Sequence, residues 1–272
     1  MPELPEVETI RRQLLAKIKG KKIKSVEVRL ARMVNVPVRE FRKNIIGASI
    51  TDLRRRAKIL ILDLSNSRSI VIHLKMTGQL IYNGKEGIGK PHIIYTFSDD
   101  HELKHYDFRL FGYAKLMETY EVKNFLDKEN YGPEILDQKF SVEDFKNLLG
   151  KKPNAKIKPL LMDQKFIAGI GNIYAQEACF CAKILPGRKV STLTASEIKN
   201  LYFCLRKILS AAIARGGSSV DSYVNALGEK GSYMPFLKIY GRGGESCISC
   251  KGKVKTIKLA GRGTSFCPGC QK

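Results

Sequence analysis

Four of the seven cysteines lie in two closely spaced pairs near the carboxy-terminal end. They form Cys247-x2-Cys250 and Cys267-x2-Cys270, with sixteen residues between the pairs. Each C-x2-C places two thiolates on one tight knuckle, and two facing knuckles supply four soft ligands in a tetrahedron. The spacing therefore predicts one structural Zn²⁺ that stabilises a small β-hairpin and leaves no position open for a catalytic water.

The other three cysteines, Cys179, Cys181 and Cys204, lie in apolar helical contexts, and we expect unreactive core thiols. An odd number of cysteines argues against a disulfide framework, as does an acidic first segment that lacks the pattern of a secretory signal. No apolar run is long enough to cross a bilayer. These features predict a cytoplasmic protein with no membrane partner.

The balance of charge points to a polyanion. The 272 residues contain 48 Lys and Arg against 26 Asp and Glu, a formal net charge of +22. Such an excess destabilises the compact chain by self-repulsion, so it indicates a polyanionic partner, most simply nucleic acid. A solubility device is the alternative interpretation of the charge. The 43% of hydrophobic residues is enough for one large domain or two ordinary ones.

The periodicity of the hydrophobic residues changes along the chain. Residues 6–19 carry apolar side chains on one helical face, and residues 22–118 then contain short β-rich runs separated by turn-like stretches. These runs are KIKSVEVRL, KILILDLS, SIVIHLKM, HIIYTFS, ELKHYD and GYAKLME. Many short strands after a single opening helix predict a β-sandwich or barrel domain.

Helical signals follow. The Gly-Pro breaker in YGPEIL places a domain junction within residues 118–138. Ser141 with Asp144, and Thr194 with Glu197, predict capping boxes at two helix starts, and the second helix should end at Gly216-Gly217. The chain is thus predicted to be of the α+β class.

The first residues could carry covalent chemistry. Methionine before a small residue is commonly removed, and removal of Met1 would expose Pro2 as a secondary amine. Such an amine can attack an electrophilic sugar carbon and form an iminium ion, and Glu3 and Glu6 could transfer protons beside it. The same residues also fit an ordinary helix start, where acidic side chains suit the helix dipole.

Six sequence blocks occur in order along the chain. They are MPELPEVETIRR at the start, RRRAK at 54–58, HLKMTG at 73–78, DFRLFG at 107–112, GIGNIYA at 169–175, and C-x2-C…GRGT…CPGCQ at the end. Together they resemble the bacterial formamidopyrimidine-DNA glycosylases, which excise oxidised purines. The resemblance spans essentially the whole chain.

The family resemblance implies an architecture and a partner. It implies an N-terminal β-sandwich with an opening helix (2–130), a helical domain with a helix–two-turn–helix element (131–237) and a four-cysteine zinc-finger hairpin (238–272). The expected partner is double-stranded DNA that contains oxidised bases or abasic sites. The enzyme would act as a monomer that removes the base and then nicks the strand by β,δ-elimination.

The resemblance also implies catalytic residues. Pro2 would attack C1′ of the damaged nucleotide, and Glu3 would assist opening of the sugar ring and proton transfers. Glu6, a second acid of the motif, would have a supporting role and is counted with the DNA-binding residues. Lys58 would lie near the damage and the adjacent phosphate, and Arg262 would bridge the phosphates that flank the lesion. In the RRRAK block, Ala57 stands where the family usually has glycine, so a positive φ there would introduce strain.

Further residues would bind DNA. An enzyme that extrudes a nucleotide must fill the space left in the duplex, and Met76, Arg109 and Phe111 match the family residues that do so. His73 would lie near the phosphate backbone, and Asn172 would grip the phosphate at the lesion, with Lys158 held by the same element. Residues 218–235 align with a loop that covers the extruded base.

Two other functions remain open at this point. One is that of the sister enzyme endonuclease VIII, which shares the fold and the amino-terminal proline but prefers oxidised pyrimidines. The other is a non-catalytic zinc protein that binds DNA, which would be expected to have lost catalytic positions.

Overall fold

The computed structural model describes residues 1–272 as two compact units. The first unit consists of residues 1–129 and 212–234, and the second of residues 130–211 and 235–272. The helices, in chain order, are α1 Leu4–Ile18, α2 Val38–Ile45, α3 Glu121–Glu129, α4 Val142–Gly150, α5 Ile157–Met162, α6 Asn172–Cys181 and α7 Ala195–Ala214. The strands are β1 Ile23–Val28, β2 Ile50–Arg56, β3 Ile59–Leu64, β4 Arg68–His73, β5 Gly78–Tyr82, β6 Ile93–Phe97, β7 Glu102–Asp107, β8 Tyr113–Glu118, β9 Lys255–Leu259 and β10 Arg262–Phe266.

The first unit contains two four-stranded antiparallel sheets. Their strand orders are β1-β6-β7-β5 and β2-β3-β4-β8. One apolar core includes side chains from both sheets and a stripe on α1 formed by Val7, Ile10, Leu14 and Ile18. These four side chains are spaced three or four residues apart, so they share one helical face. The predicted β-rich domain with its opening helix is confirmed.

The predicted runs all form strands, but the sequence did not reveal every element of this unit. Strand β2 was not predicted, because its sequence, ITDLRRR, ends in three arginines that hide the alternation of apolar and polar residues. The expectation of a single opening helix was wrong, since α2 and α3 also belong to the unit. Helix α2 buries only Phe41 and Ile45, which is too few apolar positions for a clear helical period.

The second unit combines helices with the β9-β10 hairpin. The predicted capping box at Ser141 is present, with its hydroxyl accepting a hydrogen bond from the Asp144 amide. Thr194 and Glu197 exchange the equivalent pair of bonds at the start of α7. A small apolar cluster beside the hairpin contains Phe180, Ile239 and Val254 together with two of the paired cysteines. No helix of the chain is long and apolar enough to cross a membrane.

One cysteine prediction is wrong. Cys181, at the end of α6, and Cys204, within α7, form a disulfide with their Cα atoms 5.9 Å apart. Cys179 remains a fully buried thiol, and burial raises its pKa to about 12, as expected for an unreactive core cysteine. No local pattern indicates this pairing, because the two residues lie 23 positions apart on different helices.

Candidate active site and metal centre

The amino-terminal residues are fixed at the start of α1. Glu3 is the N-cap residue of the helix, and its amide donates a hydrogen bond to Glu6 Oε2 at 2.8 Å. The other carboxylate oxygen of Glu6 accepts the amide of Ser218 at 2.8 Å. Glu3 and Glu6 are both buried. The Glu6 carboxylate therefore joins the helix start to residues that are more than two hundred positions away.

Pro2 is buried beside these acids. Because Met1 precedes it here, the Pro2 nitrogen belongs to an amide, whose lone pair is delocalised and not nucleophilic. Cleavage of the bond between Met1 and Pro2 is therefore a condition for amine chemistry at this position.

Glycine is required where the chain after α7 meets Glu6. Gly217 has a φ of 82°, and a Cβ atom there would lie 2.9 Å from Glu6 Cγ. Any larger residue would therefore meet both backbone strain and a clash. The Gly216-Gly217 pair, predicted as a helix end, also brings the Ser218 amide to the carboxylate.

Lys58 lies in the tight turn between β2 and β3. Ala57, just before it, has a φ of 52° and is fully buried, so the strain expected for an alanine in this turn is present. The Arg55 guanidinium braces the turn, since Nη1 donates to the Ala57 carbonyl and Nε donates to Glu8, both at 2.9 Å. Lys58 itself is 6% exposed.

Glu8 and Arg55 are residues that sequence reasoning missed. Burial raises the pKa of Glu8, but hydrogen bonds from Arg11, Arg12 and Arg55 outweigh it and lower the pKa to about 2. Glu8 is thus an anion that anchors the turn carrying Lys58. Only Ala57 and Lys58 of the RRRAK block were singled out from sequence, and nothing in its spacing indicates that one arginine turns inward.

His73 lies at the end of β4, where it is paired with Tyr113 and Ile59 on the neighbouring strands. Its Nδ1 accepts the backbone amide of Lys75 at 2.9 Å. Burial, followed by the positive charges of Lys75 and Lys58, lowers the pKa of His73 to about 3. The imidazole is therefore neutral at physiological pH, and its Nδ1 is engaged as a hydrogen-bond acceptor.

Two adjacent loops carry the predicted void-filling residues. Met76 lies half-buried in the turn between β4 and β5, which is closed by a 2.8 Å hydrogen bond from the Gly78 amide to the Leu74 carbonyl. Arg109 and Phe111 lie in the loop between β7 and β8. Both are exposed, and the Arg109 guanidinium carbon is 5.1 Å from the centre of the Phe111 ring.

Asp107 joins these two loops, and sequence reasoning missed it. Its buried carboxylate accepts hydrogen bonds from Thr77 Oγ1 at 2.5 Å and from the Gly112 amide at 2.6 Å. The Arg109 amide in turn donates to Thr77 Oγ1 at 2.8 Å. The only available signal was its position as the first residue of the DFRLFG block. The structure therefore brings Met76, Arg109 and Phe111 to one edge of the first unit.

In the second unit, Lys158 contacts both Asn172 and the β9-β10 hairpin. The ammonium of the fully buried Lys158 donates to Asn172 Oδ1 at 2.6 Å and to Thr264 Oγ1 at 3.0 Å. Asn172 is the first residue of α6, so its backbone amide lies in the helix turn whose N–H groups lack intrahelical partners. Such a helix start favours anions, including phosphate.

Gln176 and Glu177 on α6 hold the segments around the hairpin, and neither was singled out from sequence. Gln176 Nε2 donates to Asn172 Oδ1 at 3.1 Å, while its Oε1 accepts the Ser265 amide of β10 at 2.6 Å. Glu177 accepts three backbone amides, from residues 238, 239 and 240. Although these bonds favour its anion, burial dominates and raises the pKa of Glu177.

Arg262 begins β10 directly after a two-residue turn. Ala260 and Gly261 both have positive φ, 47° and 74°, and Leu259 pairs with Arg262 across the hairpin. Two consecutive positive φ values are typical of a tight hairpin turn that matches the twist of the strands. The Arg262 side chain is exposed at the tip.

The four paired cysteines converge at the base of the hairpin. Their sulfur atoms all lie within 4.8 Å of one another, with Cys247 to Cys270 at 3.7 Å and Cys250 to Cys267 at 3.4 Å. A tetrahedral zinc with Zn–S bonds of about 2.3 Å requires sulfur atoms roughly 3.8 Å apart. The donor set and its spacing therefore fit one structural Zn²⁺, as predicted.

Three family profiles match the chain in order. The formamidopyrimidine-DNA glycosylase N-terminal domain matches residues 1–114, and the formamidopyrimidine-DNA glycosylase H2TH domain matches residues 131–224. A zinc finger found in FPG and IleRS matches residues 244–272. Together the three matches cover most of the chain.

Whole proteins show the same similarity. The formamidopyrimidine-DNA glycosylase of Listeria monocytogenes serotype 4b is 43% identical over the full length of both chains. A mutant of the Lactococcus lactis enzyme, solved with DNA containing Fapy-dG, superposes with a TM-score of 0.91 at 38% identity and full coverage of both chains. The wild-type Lactococcus enzyme with DNA containing an oxidised pyrimidine gives 0.90 at the same identity and coverage. The resemblance read from the six sequence blocks is confirmed, and the chain belongs to the formamidopyrimidine-DNA glycosylase family.

Proposed function

We propose that this chain is a bifunctional DNA glycosylase and lyase of base excision repair that removes oxidised purines and nicks the strand. The observation that carries the proposal is the start of α1, where Pro2 and Glu3 are buried and Glu6 fixes the helix cap. A nucleophile and a proton-transfer group are thereby held in one place before substrate arrives. Membership of a family whose relatives are named as glycosylases supports the proposal.

In the proposed reaction, the amine of Pro2, freed by removal of Met1, attacks C1′ of the damaged nucleotide. The bond from C1′ to the base breaks, and the nitrogen lone pair forms an iminium with the opened sugar. Glu3 moves protons during ring opening. The iminium acidifies the neighbouring C–H bonds, so the two flanking phosphates leave in successive β- and δ-eliminations. Lys58 supports this chemistry from its braced turn beside the adjacent phosphate.

The remaining site residues would hold the duplex. Arg262 and Asn172 would bind phosphates near the lesion, with Lys158 orienting the Asn172 amide through the 2.6 Å hydrogen bond. A guanidinium fork suits two phosphates better than an ammonium does. Met76, Arg109 and Phe111 would fill the space left by the extruded nucleotide, and His73 would bind the backbone as a neutral group. Glu6 would act indirectly, through the helix cap.

The four cysteines would hold zinc, which supplies folding energy and no chemistry in this arrangement. Its effect on catalysis would be to fix the hairpin that presents Arg262. We also propose the functional divisions 2–130, 131–237 and 238–272, the last of which carries the metal, and a cytoplasmic location in association with chromosomal DNA.

Borohydride trapping tests the proposal. Protein whose loss of Met1 has been verified by mass spectrometry is mixed with a duplex containing 8-oxoguanine opposite cytosine, and the iminium is reduced to a stable adduct. Wild-type protein should form the adduct and nick the strand, whereas Pro2→Gly should lose most of it because the attacking secondary amine is gone. Glu3→Gln should bind the duplex but excise the base slowly. No adduct from processed wild-type protein overturns the enzyme function and leaves the non-catalytic alternative.

The second candidate is a preference for oxidised pyrimidines, as in endonuclease VIII. It merits a parallel test because a solved relative was captured with DNA containing an oxidised pyrimidine. A dihydrouracil duplex in the same assay separates the two by relative rate. Faster excision of dihydrouracil than of 8-oxoguanine would favour this alternative.

A further inference from the structure

We propose that Phe108 is an additional DNA-contacting residue that stacks on the base next to the orphaned cytosine in the strand opposite the lesion. This inference rests on the proposed function. Its ligand is the aromatic face of a nucleobase, and it adds a contact to the three void-filling residues.

Phe108 is the first residue of the loop between β7 and β8, and it is 70% exposed. Only Tyr120, at 75%, exceeds it among the large exposed hydrophobic side chains of the chain. A single exposed apolar side chain is ordinary on a protein surface. The placement is unusual because Arg109 follows at once and Phe111 is also 55% exposed, so one short loop carries two exposed aromatic rings and a guanidinium that lies 5.1 Å from the second of them.

Hydrogen bonds to Asp107 fix the loop. Asp107 accepts the Gly112 amide at 2.6 Å, and the Leu110 amide donates to the Asp107 carbonyl at 3.2 Å. Leu110 has a φ of 58°, so the chain turns sharply within the loop. Gly112 is confined as well, since a Cβ atom there would lie 2.9 Å from Asp107 Oδ2. These contacts fix the turn that follows Phe108, whose ring is exposed.

Charge identifies the occupant. Two cationic residues belong to these two loops, since Arg109 follows Phe108 directly and Lys75 lies in the neighbouring turn. The acid that precedes Phe108, Asp107, is buried and engaged by hydrogen bonds. An apolar ring among cations suits a partner that has flat apolar faces and an anionic backbone, which describes DNA. Aromatic stacking on a base is tolerant of sequence and suits an enzyme that scans DNA.

The position of the contact follows from chain order. Arg109 is the residue expected to hydrogen-bond the orphaned cytosine, and Phe108 is its immediate neighbour. The Phe108 ring would therefore reach the adjacent base of that strand, while Phe111, whose ring lies against the guanidinium, would enter the vacated space. The two aromatics would then keep Arg109 in register with the cytosine.

The test measures binding and local base stacking. A duplex carrying a tetrahydrofuran abasic analogue opposite cytosine is labelled with 2-aminopurine at the base next to that cytosine. Phe108→Ala should bind roughly tenfold more weakly, in line with the loss of one stacked base, and should lose much of the 2-aminopurine response. Phe108→Tyr should restore both signals. The matched control is Tyr120→Ala, which removes an equally exposed aromatic from another segment and should change neither signal.

Several results would overturn the inference. One is unchanged affinity and 2-aminopurine response in Phe108→Ala, and another is an equal loss in Tyr120→Ala. A third is self-association of the wild-type protein through this residue. Light scattering would then show a lower mass for Phe108→Ala than for the wild type and for the other variants, and the ring would be assigned to a contact with a second copy of the chain. Thermal unfolding of each variant excludes misfolding, and Phe108→Tyr serves as the folded reference. Borohydride trapping with the wild-type protein reports on the proposed function separately.

Discussion

The two compact units of this protein are stabilised by different chemistry. All seven cysteines lie in the second unit, where two form a disulfide and four form the metal-binding cluster. The first unit contains no cysteine but holds all four histidines, and it relies on a two-sheet core and buried carboxylates. Each unit nevertheless presents an exposed arginine on a tight turn, Arg109 in one and Arg262 in the other. An exposed arginine is thus carried by a loop fixed through hydrogen bonds in one unit and by a hairpin next to a four-cysteine cluster in the other.

Metal removal should have the largest effect, and it should affect the two units differently. Stripping zinc with a strong chelator should unfold the β9-β10 hairpin, because zinc contributes roughly 10 kcal/mol or more to the folding of such small sites. If Arg262 grips phosphate as proposed, nicking should fall by about a hundredfold or more, with the β-sheet signal in circular dichroism retained. Cys250→Ser should behave like the stripped protein, and Cys179→Ser should keep one equivalent of zinc. Full nicking by zinc-free protein would contradict this prediction.

Reduction of the disulfide should come next. The Cys181–Cys204 link closes a loop of 23 residues. Its loss should lower the free energy of unfolding by about 3 kcal/mol, mainly through the larger entropy of the unfolded chain. Chemical denaturation with and without a phosphine reductant measures the change. The double variant Cys181→Ser/Cys204→Ser should be less stable and insensitive to the reductant. Alkylation of both cysteines in non-reduced protein would show that the bond is absent.

Acid should destabilise the first unit through His105. Neither ring nitrogen of this fully buried histidine has a hydrogen-bond partner, and burial lowers its pKa to about 4. Because the unfolded state has the higher pKa, near 6.5, it binds more protons between these values. Stability is therefore complete above about pH 6.5 and is lost as the pH falls towards 4, by up to about 3 kcal/mol. Urea midpoints measured across this range should show a steeper decline for wild type than for His105→Leu.

If the urea midpoints of wild type and His105→Leu declined equally with falling pH, His105 would not contribute to the loss of stability in acid. His73, whose pKa is lowered to about 3 by burial and by neighbouring lysines, should sustain a residual slope in the variant. The comparison thereby distinguishes the contribution of His105, a fully buried histidine, to the pH dependence of stability from that of His73 at the candidate site.

The smallest effect is expected at the strained turn before Lys58. Ala57→Gly removes a Cβ atom from a residue with a φ of 52°, so it should stabilise the protein by about 1 kcal/mol. Ala48→Gly is the matched control, since Ala48 is also a buried alanine of the first unit but has no positive φ. It should destabilise by a similar amount. A loss of stability in Ala57→Gly would mean that packing of the methyl group outweighs the strain.

Local patterns predicted much of the architecture. The capping boxes at Ser141 and Thr194 and the six strand runs could be found from sequence because each depends on neighbouring residues or on a short period. Strand β2 was missed where charged residues mask the alternation. The residues that brace the candidate site, Asp107 and Glu8 among them, were missed because their partners lie on other elements.

The sequence by itself determined the zinc ligands, the α+β class and the family, since paired cysteines, hydrophobic periods and ordered motifs are local along the chain. Tertiary structure alone decided the contacts between distant segments. It pairs Cys181 with Cys204 and brings the Ser218 amide to the Glu6 carboxylate. It also gives the Asp107 carboxylate a hydrogen bond from each of two loops. The physical reason is that burial leaves these polar groups and thiols with few partners, and chain folding, not spacing in sequence, selects which partners come within reach.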